Sequence, residues 1–169
     1  MGKTLIYGYG NPGREDDALG VVLADRLQAW IERTAIPGYG FDRNYQLNIE
    51  DALEVSQYDL VLFADASMEP VDNFLVSRVA PCERVQFTMH AVDPSYILYL
   101  SREIFGRSPA TFLIHIKGYQ WQLKEGLSAA AHQNLEDAVA FVQSAIRGPE
   151  ILEKQLEAAA DLAKQREEQ

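Results

Sequence analysis

Around its sixtieth residue the chain reads YDLVLFADA, and residues 60–64 are apolar without a break. A strand with one wet face alternates apolar and polar residues, so a continuous run belongs to a strand buried on both faces. Such a strand needs a covering layer on each side, which favours a parallel sheet with crossover helices. The rest of the chain supplies both. Residues 5–9 form another short apolar run, stopped by the turn GNPG. Leu19, Val22, Leu23, Leu27 and Trp30 then recur at helical spacing and predict an amphipathic helix over 18–33. Pro37, Gly38 and Gly40 mark its exit. A weaker strand is expected over 40–47, followed by a short helix over 49–55 with Asn48 as its N-cap. Downstream, the pattern predicts a strand over 74–79, a helix over 94–105 with Pro94 at its start, and a strand over 111–116. Ser128 opens a last long helix ending near residue 146.

Strands alternating with helices make residues 1–148 a single-domain three-layer α/β/α sandwich with a mostly parallel sheet of about five strands. Residues 149–169 read as a charged helical extension with a thin apolar stripe of Leu152, Leu156, Ala159, Ala160 and Ala163. The simpler reading is an appended surface helix; the sharper one is a docking helix for a partner.

Charge and cysteine usage narrow the partners. The chain carries 25 acidic against 15 basic side chains, a formal charge of −10. Such a surface repels phosphate backbones and anionic lipid, and suits a basic protein segment or a cation. Cys82 is the single cysteine, so no internal disulfide forms and a reducing compartment is expected. There is no signal-type h-region, no apolar run near 18 residues, and Ile6 stands where a myristoylation pattern wants Ser or Thr. A cytoplasmic monomer is the expectation, with neither nucleic acid nor membrane as partner.

In open α/β sheets, ligands collect beyond the carboxyl ends of the strands. Asp17 follows the first strand and its turn, Asp65 ends the central run, and His90 lies past the fourth strand. Two carboxylates and an imidazole suit a borderline divalent cation such as nickel or zinc, with positions left for substrate or water. Each residue also has an ordinary structural role open to it: Asp17 as a helix N-cap, Asp65 as acceptor for loop amides, His90 as a satisfied, partly buried histidine.

Other motifs compete. Gly8, Gly10 and Gly13 spell G-x-G-x-x-G between a strand and a helix, as in a dinucleotide-binding oxidoreductase. Yet Glu15, Asp16 and Asp17 crowd the helix start where a pyrophosphate would rest, and Asp42 lies further on than the usual ribose-binding acid. No G-x-S-x-G elbow surrounds Ser67 or any other serine. Cys82 has His90 eight residues away but sits in a turn-like APCE, and His115 and His132 read as structural.

GYGNPGREDDALG, then FADAS, then MHAVDPSYIL resembles the nickel-iron hydrogenase maturation endopeptidases, whose members open with a strand and a G-N-x-x-x-x-D-[DE] turn. The likeness runs over residues 2–146 in the same order and with similar spacing. It implies that Asp17, Asp65 and His90 are the nickel-coordinating positions, with Asp16 as the fallback should the register shift by one. It also implies the activity: removal of the C-terminal extension of a nickel-loaded hydrogenase large-subunit precursor. On that reading the enzyme carries no permanent cofactor, and the nickel is presented by the substrate. A non-catalytic assembly scaffold using the same ligands is the alternative. Gly13 and Ala18 depart from the family pattern, as does FDRNYQLNIEDA, where many members carry D-G-G-T on a segment implied to face the substrate.

Overall fold

The computed structural model describes residues 2–84, 92–148 and 150–169. Five strands form one sheet: β1 (Thr4–Tyr9), β2 (Tyr39–Asn44), β3 (Leu60–Ser67), β4 (Phe74–Arg78) and β5 (Ala110–Lys117), in the order β2-β1-β3-β5-β4. All neighbours pair in parallel except β4, which runs antiparallel to β5 at the edge. Five helices connect or follow the strands: α1 (Leu19–Thr34), α2 (Asp51–Val55), α3 (Pro94–Phe105), α4 (Ala129–Arg147) and α5 (Leu152–Glu167). This is the expected three-layer α/β/α sandwich with a mostly parallel sheet.

The unbroken apolar run at 60–64 has the cause inferred for it. Leu60, Leu62 and Ala64 point into the core shared with α1, α4 and α5, whereas Val61 and Phe63 point into the one shared with α2 and α3. β1 divides the same way, Ile6 to one side and Leu5 and Tyr7 to the other. Close helix-on-sheet packing depends on two glycines: a Cβ on Gly8 would sit 2.1 Å from the Gly20 carbonyl oxygen, and one on Gly20 would sit 2.1 Å from the Ala64 carbonyl oxygen. Here α1 lies against the bare backbone of β1 and β3.

Several local expectations need correction. Asn48 does not cap α2; Glu50 holds the N-cap position without a side-chain bond, and the Asn48 amide donates to Asp51 Oδ2 at 2.7 Å. The second strand stops at Asn44, where the Asn44 carbonyl accepts the Gly10 amide, and Leu47 enters the core from the following loop. A single 3-10 turn, Glu15–Ala18, precedes α1, so Asp17 is not the helix N-cap either. α5 sets Leu152, Leu156 and Ala160 into the core it shares with Val76 and Phe112, and Glu157 and Asp161 lie 3.5 and 3.9 Å from Arg78 on β4. No helix among the described residues is long and apolar enough to cross a membrane.

Candidate active site

Strand order reverses between β1 and β3: the chain leaves β1 for β2 on one side and returns to β3 on the other. At such a switch point the connections diverge and leave a crevice beyond the carboxyl ends. The β1–β3 ladder ends at the Gly8–Ala64 pair, and Asp65 is the next residue on β3. The strand itself continues to Ser67 along β5, so Asp65 lies within it rather than after it.

The turn from β1 brings Asp17 to the same crevice. Asn11 organises this turn: its side-chain oxygen accepts the Gly13 amide at 2.9 Å and its carbonyl accepts the Arg14 amide at 3.1 Å. The Asn11 amide in turn donates to Asp17 Oδ2 at 2.9 Å, which fixes that carboxylate while leaving most of its acceptor capacity free. Gly10 has a φ of 139°, and a Cβ there would meet the Asp17 carbonyl oxygen at 2.0 Å. Within G-x-G-x-x-G, Gly10 therefore serves the closure of the turn onto the acidic 3-10 segment and Gly8 the packing of α1.

Asp16, one residue away, is occupied otherwise. It is fully buried and accepts four hydrogen bonds, from the amides of Tyr119, Gln120 and Ser128 and from the Ser128 hydroxyl, at 2.7–2.9 Å. Burial alone would raise its pKa, but these donors outweigh it and hold the carboxyl below the ordinary range. Glu15 acts alongside, accepting the Gln122 amide at 2.9 Å. The pair pins the loop between β5 and α4 to the start of α1. Asp16 therefore has little acceptor capacity left to offer a metal.

Asp65 is the perturbed group of the site. Burial and the charge of Asp17 push its pKa up to about 7, against smaller opposing contributions from the Ala66 amide and the Tyr9 hydroxyl. The Tyr9 hydroxyl is pushed well upward in turn, by burial first and then by Asp65 and Asp93. Two carboxylates that resist joint ionisation form a site suited to a divalent cation, which would relieve the desolvation and the repulsion together.

The remaining candidates fall out as follows. His90 lies outside the described residues, and among those residues no group of three metal-ligating side chains is assembled. His115 stands opposite Asp65 in the β3–β5 register, with its Nε2 at 2.8 Å from the Ser77 hydroxyl; burial lowers its pKa. Cys82 is exposed. Tyr9 is the member that the sequence pattern did not single out; its one available signal was position, as the last residue of β1. Around the crevice the loops after β2, β3 and β5 expose Tyr45, Met68, Tyr119 and Leu123.

No protein-family model and no curated protein matches this chain. Solved structures do. The chain is similar to the hydrogenase maturating endopeptidase HybD from E. coli, with a TM-score of 0.67 and 18% identity over 86% of this chain and 92% of that one. It is similar to the [NiFe] hydrogenase maturation protease HycI from Thermococcus kodakarensis KOD1, with a TM-score of 0.65 and 21% identity over 82% and 88% of the two chains. A hydrogenase 2 maturation peptidase from a Thaumarchaeota archaeon gives a TM-score of 0.60 at 19% identity over 86% and 98%. The chain thus has the fold of the hydrogenase maturation proteases.

Proposed function

We propose that this protein is an endopeptidase that removes the C-terminal extension of a nickel-iron hydrogenase large-subunit precursor after nickel insertion. The observation that carries this reading is the Asp17–Asp65 pair at the switch point, where burial and the charge of Asp17 discourage ionisation of Asp65 and a cation is wanted. The shared fold with named maturation proteases supports it, as does the rim of exposed apolar side chains on which an extended peptide can lie.

On this reading the nickel belongs to the substrate, and Asp17, Asp65 and His90 are its ligands on the enzyme. Bound there, the metal supplies Lewis acidity toward the scissile carbonyl or an attacking water. The chain's own residues do the rest. The Asn11 amide orients Asp17. Asp65 holds or releases a proton near neutrality, and the Tyr9 hydroxyl beside it can accompany that change. Asp16 and Glu15 keep the β5–α4 loop in place as one wall of the crevice. Without the cation the pair is a poor general hydrolase, so specificity comes from what the substrate carries.

The test is cleavage of a nickel-loaded precursor by wild-type protein and by Asp65→Asn and Asp17→Asn. Loss of cleavage in both variants, with folding retained by circular dichroism, is expected. Wild-type rates in either would remove that residue from the site.

A further inference from the structure

The sheet ends differently at its two edges. At one, α5 packs against β4, shares a core with Val76 and holds Arg78 through Glu157 and Asp161. At the other, β2 pairs with β1 on one side and with no strand among the described residues on the other. In a parallel ladder, alternate residues turn both backbone groups toward the neighbouring strand. The Gly38 carbonyl accepts the Thr4 amide at 2.9 Å and the Asn44 carbonyl accepts the Gly10 amide at 3.0 Å. Gly38, Gly40, Asp42 and Asn44 are thus the residues that face β1. Tyr39, Phe41 and Arg43 turn their amides and carbonyls outward. The Arg43 amide is taken by Asp42 Oδ1 at 2.7 Å, and the other outward groups have no partner among the described residues.

Open edges recruit other strands, so native chains blunt them with proline, lysine or a bulge. β2 carries none of these: its sequence is YGFDRN, and its register with β1 runs unbroken from Thr4–Tyr39 to Tyr9–Asn44. Its one cation, Arg43, is drawn onto α1 by Asp25 and Gln28. The edge also leads to the candidate site. A hollow of about 270 Å3, lined by Gly10, Pro12, Val21, Arg43, Asn44 and Tyr45, joins the end of β2 to the turn that carries Asp17. Neighbouring strands lie about 4.8 Å apart, so a strand added beside β2 stands about 12 Å from the gap between β1 and β3. About four extended residues cover that distance.

We propose that the free edge of β2 binds the precursor's C-terminal extension by strand addition, an inference that rests on the endopeptidase reading above. The nickel stays with the body of the precursor, so the tail beyond the scissile bond is the part free to lie along an edge. Leaving the crevice, where β2 ends, the tail runs antiparallel to β2 and pairs first with Phe41 and then with Tyr39. The first paired residue follows the scissile bond by about four positions. One side chain of the linking stretch enters the hollow beside Tyr45. Main-chain pairing supplies affinity for an extended segment, and the hollow, walled by Gly10, Pro12, Val21 and Tyr45, selects an apolar side chain.

Amide hydrogen exchange with a synthetic peptide of the extension sequence reads this edge without nickel or cleavage. The Tyr39 and Phe41 amides should exchange readily in the protein alone and slow by about tenfold or more with saturating peptide. Methylating the peptide's amides one at a time should weaken binding at every second position only, the period of a strand. In cleavage of nickel-loaded precursor, Phe41→Pro withdraws an outward donor while the residues that face β1 keep their pairing. It should raise KM about tenfold, the scale of one or two lost main-chain hydrogen bonds, with kcat within about twofold. Tyr45→Ala, at an exposed side chain, should raise KM in the same direction with the fold retained. Tyr39 and Phe41 left unprotected by peptide, or KM unchanged in both variants, overturns the docking edge and leaves the endopeptidase standing. Protection that grows with protein concentration in the absence of peptide overturns it too, and assigns the edge to a second copy of this chain. Protection by peptide with no cleavage of the loaded precursor supports the edge and overturns the endopeptidase.

Discussion

Replacing Asp65 by asparagine should make the metal-free protein more stable, in a way that depends on pH. The carboxyl is moved from an ordinary 3.8 to about 7, chiefly by burial and then by Asp17. At about 1.4 kcal/mol per pH unit, that displacement corresponds to about 4 kcal/mol by which ionised Asp65 opposes folding. The sign follows from proton binding. Below an unfolded pKa of 3.8 both states hold the proton and nothing is lost. Between 3.8 and about 7 the folded state holds more protons than the unfolded one, so stability falls as pH rises; above that the full cost is present. Asparagine forfeits what the Ala66 amide gave the carboxylate, so a net gain of about 2–3 kcal/mol at pH 8 is expected, vanishing near pH 3.5. With a urea m-value of about 2 kcal/mol/M, the midpoint should move up by about 1–1.5 M. Urea titrations of wild type and Asp65→Asn across this pH range, in the presence of chelator, measure it. A variant that is neutral or destabilised at pH 8, or whose effect does not change with pH, would refute the argument that Asp65 is held against its own ionisation.

Three other perturbations separate scaffold from site. Asp16→Ala leaves the buried amides of Tyr119, Gln120 and Ser128 without their acceptor, and should destabilise by about 3–5 kcal/mol, measured by thermal unfolding. Because the Asp16 carboxyl is held low in the folded protein, its contribution is present above the unfolded pKa and lost as pH falls through the folded one. Gly20→Ala drives a methyl to 2.1 Å from the Ala64 carbonyl and should cost about 2 kcal/mol or more as α1 is pushed off the sheet, detected as a lowered urea midpoint. Leu156→Ala opens a cavity between α5 and β4 worth about 2–4 kcal/mol; a change below about 0.5 kcal/mol would mean that α5 is merely laid on the surface.

The fold was legible where burial dictates composition. Residues 60–64 could be read as a two-sided strand because both faces demand apolar side chains, and the 3.6-residue spacing of α1 and α4 follows from one buried stripe each. The segment after β2 was harder. Its chain path is set by backbone pairing of Asn44 with Gly10 and by an Asp51–Asn48 bond, neither of which leaves a periodic trace. At the candidate site, strand-edge position was enough to nominate Asp17 and Asp65. What separates Asp17 from Asp16 is the set of donors that converge on Asp16 from a loop more than 100 residues away, which spacing does not reveal. Tyr9 escaped notice because a tyrosine closing an apolar strand looks like core, and only the geometry places its hydroxyl by Asp65. α5 was read as an extension because its stripe is thin, and alanines hold three of its five positions. Set against β4, Leu152, Leu156 and Ala160 are sufficient to enter the core.

The central claim is that this chain shortens a hydrogenase large-subunit precursor in response to the nickel it carries. The most direct measurement is the intact mass of such a precursor, nickel-loaded and nickel-free, before and after incubation with the protein. Loss of one discrete C-terminal peptide from the nickel-loaded form alone is the predicted result. An unchanged mass for the loaded precursor, or equal cleavage of both forms, would contradict it.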